Sequence, residues 1–281
     1  MALRAPLAAL ALLAAAATAC GDVSFSGHAL GGHATAVFAL DVDGDGDVDA
    51  LSASFGSDTV AWYENDGSQS FTERVVTNLA ASVSSVFAID VDGDGDVDVL
   101  SASMSDDTLA WYENDGSQSF TEHVLTTLAD MAYSVYAIDV DGDGDVDALS
   151  GSYGDDTVAW YENDGSQSFT EHVISTLADG ALFVFAIDVD VDGDVDALSA
   201  SYIDDRVAWY ENDGSESFTE RVITNSADGA RSVFAIDVDG DGEAVLHLPA
   251  RRRLDLRRVR DARAERRGPV ISSSFVVFKK L

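Results

Sequence analysis

The feature that most constrains this chain is a fixed period of 49 residues. Trp62, Trp111, Trp160 and Trp209 are spaced by it, and so are Asp41, Asp90, Asp139, Asp188 and Asp237. Self-similarity at such a period marks a repeat architecture, in which each unit buries its apolar faces only against its neighbours. Four full units share one order: a short apolar run, an Asp-rich loop, Ala-Leu-Ser-Ala-Ser, a turn, Thr-Val-Ala-Trp-Tyr-Glu-Asn, Asp-Gly-Ser, and Phe-Thr-Glu-Arg/His-Val. In the first unit, Val37–Leu40, Ala50–Ser54, Thr59–Asn65 and Phe71–Thr77 are β-rich or alternating, and Asn65-Asp66-Gly67-Ser68 is a hairpin signal. Val60, Trp62 and Glu64 fall on one face, Ala61 and Tyr63 on the other. Helical periodicity is confined to the N-terminal segment. Four short strands per unit make one blade of a β-propeller or one unit of a β-solenoid.

The Asp loop carries the chemistry. Asp is depleted from strands and repels other Asp, so five carboxylates in nine residues demand a reason. Calcium supplies one, since it takes about six to eight oxygen ligands from carboxylates, carbonyls and water. With Asp41 at loop position 1, Asp43 and Asp45 fall at 3 and 5, Gly46 makes the sharp turn at 6, Asp47 offers its carbonyl at 7, and Asp49 closes the site at 9. The second loop repeats this with Asp90, Asp92, Asp94, Asp96 and Asp98, and the third with Asp139, Asp141, Asp143, Asp145 and Asp147. The fourth has Asp188, Asp190, Asp192, Asp194 and Asp196, with Val191 in place of a glycine at a non-ligand position. The fifth begins with Asp237, Asp239 and Asp241 but puts Glu243 at position 7 and Val245 at position 9, which predicts a weak or absent site. An EF-hand needs a bidentate Glu at position 12 and flanking helices. Ser52, Ser101, Ser150 and Ser199 occupy that position between strand-like flanks, so a cation loop inside a β-hairpin remains. Magnesium suits it less, because it demands stricter octahedral geometry and more water. The competing interpretation is a solvated acidic turn without metal.

The same residues, from Val-Phe-Ala-Leu through the Asp loop to Trp-Tyr-Glu-Asn-Asp-Gly and Phe-Thr, resemble the FG-GAP-like (VCBS) repeat and the calcium-bearing blades of integrin α-subunits. The resemblance covers about residues 34–242. It implies an all-β fold, a β-propeller of four-stranded blades with calcium in the blade loops, and a role in extracellular adhesion or ligand binding. The chain departs from that pattern in blade count. About seven blades are common, whereas here four units are complete (34–82, 83–131, 132–180, 181–229) and a fifth is cut short (230–242), which predicts an open or incomplete ring.

Charge narrows the partners. The chain of 281 residues holds 51 acidic and 16 basic residues. Residues 243–281 carry 11 basic and 4 acidic side chains, which leaves the preceding body with 5 and 47, a net charge of −42. Nucleic acid is excluded as an expected partner, because phosphate binding needs a cationic surface. Such a body repels itself unless cations neutralise it. The Arg-rich stretch from Leu248 to Gly268 reads three ways: a cationic tail for an acidic surface, a solvated extension, or an out-of-frame reading of a normal fifth repeat.

Arg4, the apolar run Leu7 to Ala17 and Ala17-Thr18-Ala19 read as a secretory signal over residues 1–19, too short to span a bilayer, with a buried helix as the other interpretation. Cys20, the single cysteine, permits no internal disulfide; in a bacterium it is a candidate lipid anchor, though Ala17 stands where an aliphatic residue is usual. Phe25–Leu30 resembles a fourth strand and is a candidate to close the ring. No transmembrane segment is expected.

No catalytic constellation is found: no Cys nucleophile, phosphate loop or zinc motif, so the expectation is a non-enzyme. His123 and His172 share a repeat position with Arg74 and Arg221 and read as an exposed basic slot on the outer strand. Trp62 and its equivalents read as packing residues between blades, with sugar stacking as the other use. The variable turns Phe55–Asp58, Met104–Asp107, Tyr153–Asp156 and Tyr202–Asp205 are the candidate recognition surface for an extracellular protein or glycan. The alternative function is a structural or calcium-sequestering acidic matrix protein. A non-catalytic propeller within a polysaccharide-active enzyme is the third.

Overall fold

A computed structural model describes residues 34–236, apart from residue 69, and the strands at 245–247 and 275–277. The signal segment, Cys20, Phe25–Leu30 and the fifth loop with Asp237, Asp239 and Asp241 lie outside the described residues.

The alternation of apolar residues becomes four antiparallel meanders. Blade one is β1 (Ala36–Leu40), β2 (Asp49–Ser54), β3 (Thr59–Asn65) and β4 (Phe71–Thr77). Blade two is β5 (Val83–Ile89), β6 (Asp98–Ser103), β7 (Thr108–Asn114) and β8 (Phe120–Thr126). Blade three is β9 (Ala132–Ile138), β10 (Asp147–Ser152), β11 (Thr157–Asn163) and β12 (Phe169–Ser175). Blade four is β13 (Ala181–Ile187), β14 (Asp196–Ser201), β15 (Arg206–Asn212) and β16 (Phe218–Thr224). A fifth, three-stranded sheet joins β17 (Phe234–Ile236), β18 (Val245–His247) and β19 (Phe275–Val277). The third and fourth strands of blade one fall on the residues expected. The first two each begin one residue earlier, at Ala36 and Asp49. Asp49 joins its strand although Asp disfavours strands, because both carboxylate oxygens find backbone donors there. The break after Gly242 does not end the strand structure, since β19 pairs with β18 through Leu246↔Val276.

Cross-strand register explains how blades stack. Phe38↔Leu51, Leu51↔Trp62 and Trp62↔Arg74 form one row on the face toward blade two. Leu51, Ala53, Val60 and Trp62 pack in one cluster with Val83, Val86, Ala88 and Tyr112 of blade two. The same seam recurs between blades two and three around Trp111, and between three and four around Trp160. Blade four is covered in turn by Ala227, Ala230, Val233 and Ala235. Burying an aromatic of this size contributes several kcal/mol, roughly 3–5 by truncation. Trp62, Trp111 and Trp160 are at most 1% exposed, so they have no free face for a sugar.

The first strands lie innermost, each against the next. Phe38, Phe87, Tyr136, Phe185 and Phe234 make a continuous ladder along them, with ring centroids 4.9, 4.7, 5.0 and 4.7 Å apart and tilts of 45–55°. Each tilted pair contributes about 0.5–1.5 kcal/mol beyond burial. Hydrogen bonds pin the same strands: Ser84 Oγ donates to Ala102 O and, across the seam, to Ala132 O, both at 3.0 Å. Among the described residues no strand pairing joins the first sheet to the last, which is consistent with an open or incomplete propeller. Val37 at the start of the array is 65% exposed, whereas its equivalents Val86, Val135, Val184 and Val233 are 0–6% exposed. Among the described residues no helix is long and apolar enough to cross a membrane.

Candidate metal centre

Each Asp loop joins the first and second strands of a blade and folds on its own side chains. Asp41 Oδ1 accepts from Gly44 N at 2.8 Å and Oδ2 from Gly46 N at 3.0 Å. Asp43 Oδ1 accepts from Asp45 N, and Asp45 Oδ1 from Asp47 N at 2.8 Å. These bonds curl the loop so that alternate carboxylates face inward. Loops two and three repeat them. In the fourth, Asp188 still accepts from Val191 N and Gly193 N, so the valine leaves the curl intact.

Four groups of carboxylates converge, the oxygens of each group lying within 4.8 Å of one another. They are Asp41, Asp43 and Asp45; Asp90, Asp92 and Asp94; Asp139, Asp141 and Asp147; and Asp188, Asp190 and Asp196. Positions 1 and 3 thus converge in every loop. Position 5 joins them in the first two loops and position 9 in the last two. Asp143 and Asp192, and likewise Asp49 and Asp98, are not drawn into the tightest group.

Position 9 has a second task that the spacing did not show. Asp98 is fully buried; its Oδ2 accepts from Val91 N at 3.0 Å and its Oδ1 from Asn114 N at 2.7 Å. Asp49, Asp147 and Asp196 hold the same two bonds. Burial pushes Asp98 and Asp196 up to about 6 and Asp147 to about 7, against the pull of those two backbone N–H groups. Burial also raises Asp49, and it raises Asp43, Asp92 and Asp141, with neighbouring carboxylates adding to the rise. Oxygen donors that are both crowded and partly desolvated are the donor set a hard cation satisfies.

The side chain of position 7 has a place of its own. A Cβ on Gly67 would meet Asp47 Oδ2 at 2.5 Å, and the same holds for Gly116 with Asp96, Gly165 with Asp145 and Gly214 with Asp194. The carboxylate of position 7 therefore lies over the turn between the third and fourth strands. Asn65 ties that turn down, its Nδ2 donating to Val48 O at 3.0 Å and its Oδ1 accepting from Gly67 N. The Asn-Asp-Gly motif, read from sequence only as a hairpin signal, is a latch on the Asp loop.

The basic slot on the fourth strand is exposed at Arg74 and Arg221, as expected, and half-buried at His123 and His172. His123 stacks on Trp111 with centroids 4.5 Å apart and contacts Glu113 Oε2 at 2.7 Å; His172 does the same with Trp160 and Glu162. Arg74 lies over Trp62 and pairs with Glu64, and Arg221 lies over Trp209 and pairs with Glu211. Each basic group thus lies on an indole, buried in blades one to three and partly buried in blade four, and contacts a glutamate of the third strand.

The variable turns sit at the opposite end of each blade, because a meander puts alternate connections at alternate ends. Their aspartates are engaged: Asp58 Oδ1 accepts from Ser82 N at 2.7 Å, and Asp107, Asp156 and Asp205 make the equivalent bonds to the last residue of their own units, just before the next blade begins. Phe55 and Ile203 remain exposed at these turns.

The FG-GAP-like repeat model matches four times in register, over residues 41–101, 90–150, 139–199 and 188–246. The chain belongs to the FG-GAP-like repeat family. Each match starts on the first aspartate of a loop and, in the first three, runs through the three strands that follow it, the first strand of the next blade and the next Asp loop. Among curated proteins no sequence matches the chain. Several solved structures are similar. A lectin of Agrocybe aegerita that recognises non-reducing terminal N-acetylglucosamine superposes with a TM-score of 0.52 at 19% identity, over 75% of this chain and 60% of the lectin. A functionally unknown protein from Desulfotomaculum acetoxidans gives 0.51 at 12% identity, over 72% and 59%. A V. cholerae biofilm matrix protein gives 0.49 at 20% identity, over 71% of this chain and 30% of that one. This FG-GAP-like chain therefore spans 60% or less of each of these structures, and the likeness to the lectin and to the Desulfotomaculum acetoxidans protein is one of fold.

Proposed function

We propose that this FG-GAP-like array is an extracellular calcium-binding module whose blade ends recognise a protein or glycan, with no catalysis of its own. The observation that supports it best is the recurrence of one oxygen cluster at the same place in four blades, each within 4.8 Å. A body of net charge −42 up to residue 242 is least repulsive when those clusters hold cations. Calcium fits better than magnesium, because the loop offers many oxygens on a curled, flexible frame. Sites of extracellular modules fill at roughly 10⁻⁴ to 10⁻³ M, which suits an exported chain with a signal-like N-terminus.

The recognition surface is assigned to the turns around Phe55 and Ile203, away from the cation loops. Fold alone does not name the ligand, so terminal sugars, including N-acetylglucosamine, are probes rather than conclusions. Equilibrium dialysis should give about four calcium ions per chain, one per loop, and Asp90→Asn should remove one of them. Uptake of none would overturn the calcium assignment. An immobilised glycan and protein panel tests recognition: binding lost on Phe55→Ser and Ile203→Ser supports it. High calcium capacity with no macromolecular ligand would favour the acidic matrix function instead.

A further inference from the structure

We propose that Glu216, carried by the fourth blade, is a ligand for the cation of the third loop, supplied across the seam between blades. The proposal rests on the calcium assignment above. The turn between the third and fourth strands of each blade reads Asn-Asp-Gly-Ser-X-Ser, and X is Gln118, Gln167 and Glu216 in blades two, three and four. These three residues hold φ of 65, 65 and 61°, a left-handed conformation uncommon for side chains other than glycine. The turn geometry is therefore the same in all three.

In blade three the direction of that side chain is visible. Gln167 Nε2 donates to Asp92 Oδ2 at 3.4 Å, reaching position 3 of the loop in the preceding blade, 75 residues earlier. The repeat places Glu216 in the same relation to Asp141. Glu216, Asp139 and Asp141 indeed line one cavity of about 240 Å³ between blades three and four. Asp147, the third member of the group with Asp139 and Asp141, is buried and fixed by two backbone donors.

The exchange of Gln for Glu inverts the chemistry of the seam. An amide can donate to a carboxylate, so Gln167 closes its seam with a hydrogen bond. An ionised Glu has only acceptors and faces Asp139 and Asp141 with like charge. A cation between them turns that repulsion into attraction. Calcium accepts carboxylates from separate elements, and its affinity rises with ligand charge and count. The third loop is thus the tightest of the four, and its occupancy clamps blade four to blade three.

Calorimetric calcium titration of the full chain, with melting in chelator, tests this on the wild type, Glu216→Gln and Gln167→Glu. The wild type should show one site about tenfold tighter than the rest. Glu216→Gln should bring that site down to its neighbours and melt no lower in chelator, since it removes repulsion. Gln167→Glu should create a second tight site and melt lower in chelator. Calcium binding in which Glu216→Gln keeps the tight site overturns this proposal alone. No calcium binding by the wild type overturns the calcium assignment and this proposal with it.

Discussion

At the scale of the residue, two positions show how much the Asp loop depends on its surroundings. Val191 holds φ +63°, where Gly44, Gly93 and Gly142 hold 73–80°. A β-branched side chain there costs of order 1–3 kcal/mol, partly offset by the entropy a glycine loses on folding. Val191→Gly should therefore raise stability by about 1 kcal/mol, read as a higher denaturation midpoint. Asp98→Asn should do the reverse even in chelator. An amide offers one acceptor oxygen to two buried backbone donors, and the orphaned N–H costs about 1–3 kcal/mol. If Asp98→Asn matched the wild type in chelator and differed only in calcium, position 9 would be a ligand and nothing more. The convergence of the loop carboxylates was legible in the sequence, because alternate aspartates around a turning glycine follow from coordination chemistry. The second task of Asp98 was not, because its donors Val91 and Asn114 lie 7 and 16 residues away and meet it only in the fold.

At the scale of the element, the rows across each blade decide stability. Trp111 is buried between blades two and three, and Trp111→Ala should cost about 3–5 kcal/mol. His123→Arg should be nearly neutral, because Arg74 and Arg221 already fill the equivalent place over an indole. Loss of more than about 2 kcal/mol on that change, against the roughly 0.5–1 kcal/mol of an exposed cation–π contact, would mean that stacking on Trp111 is specific to imidazole. Strand positions were readable from alternation, and β3 and β4 fell where the pattern put them. The aromatic ladder was only half readable. Phe38, Phe87, Tyr136, Phe185 and Phe234 keep the 49-residue spacing, but that they touch one another depends on the first strands being innermost, which spacing does not state. The latch from Asn65 to the Asp loop escaped for a similar reason: it joins two different hairpin connections.

At the scale of the whole molecule, the described residues form a stack of blades with two unlike ends. Among the described residues, every seam after the first blade is sealed by the pattern that leaves Val37 bare, and β1 has no preceding strand against it of the kind that covers β5, β9 and β13. Hydrogen exchange should accordingly be faster in β1 than in those three strands; equal protection would mean that the first blade is covered in solution. Carboxylate crowding acts over the same scale, since four loops line one end of the stack and their charges add. The measurement that tests the calcium assignment most directly is thermal melting of the full chain in millimolar calcium and in excess chelator. With free calcium at about ten times the dissociation constant, each filled site contributes about 1.4 kcal/mol, so with four sites the melting temperature should rise by several degrees and follow the calcium concentration. An identical melting temperature in calcium and in chelator would contradict it.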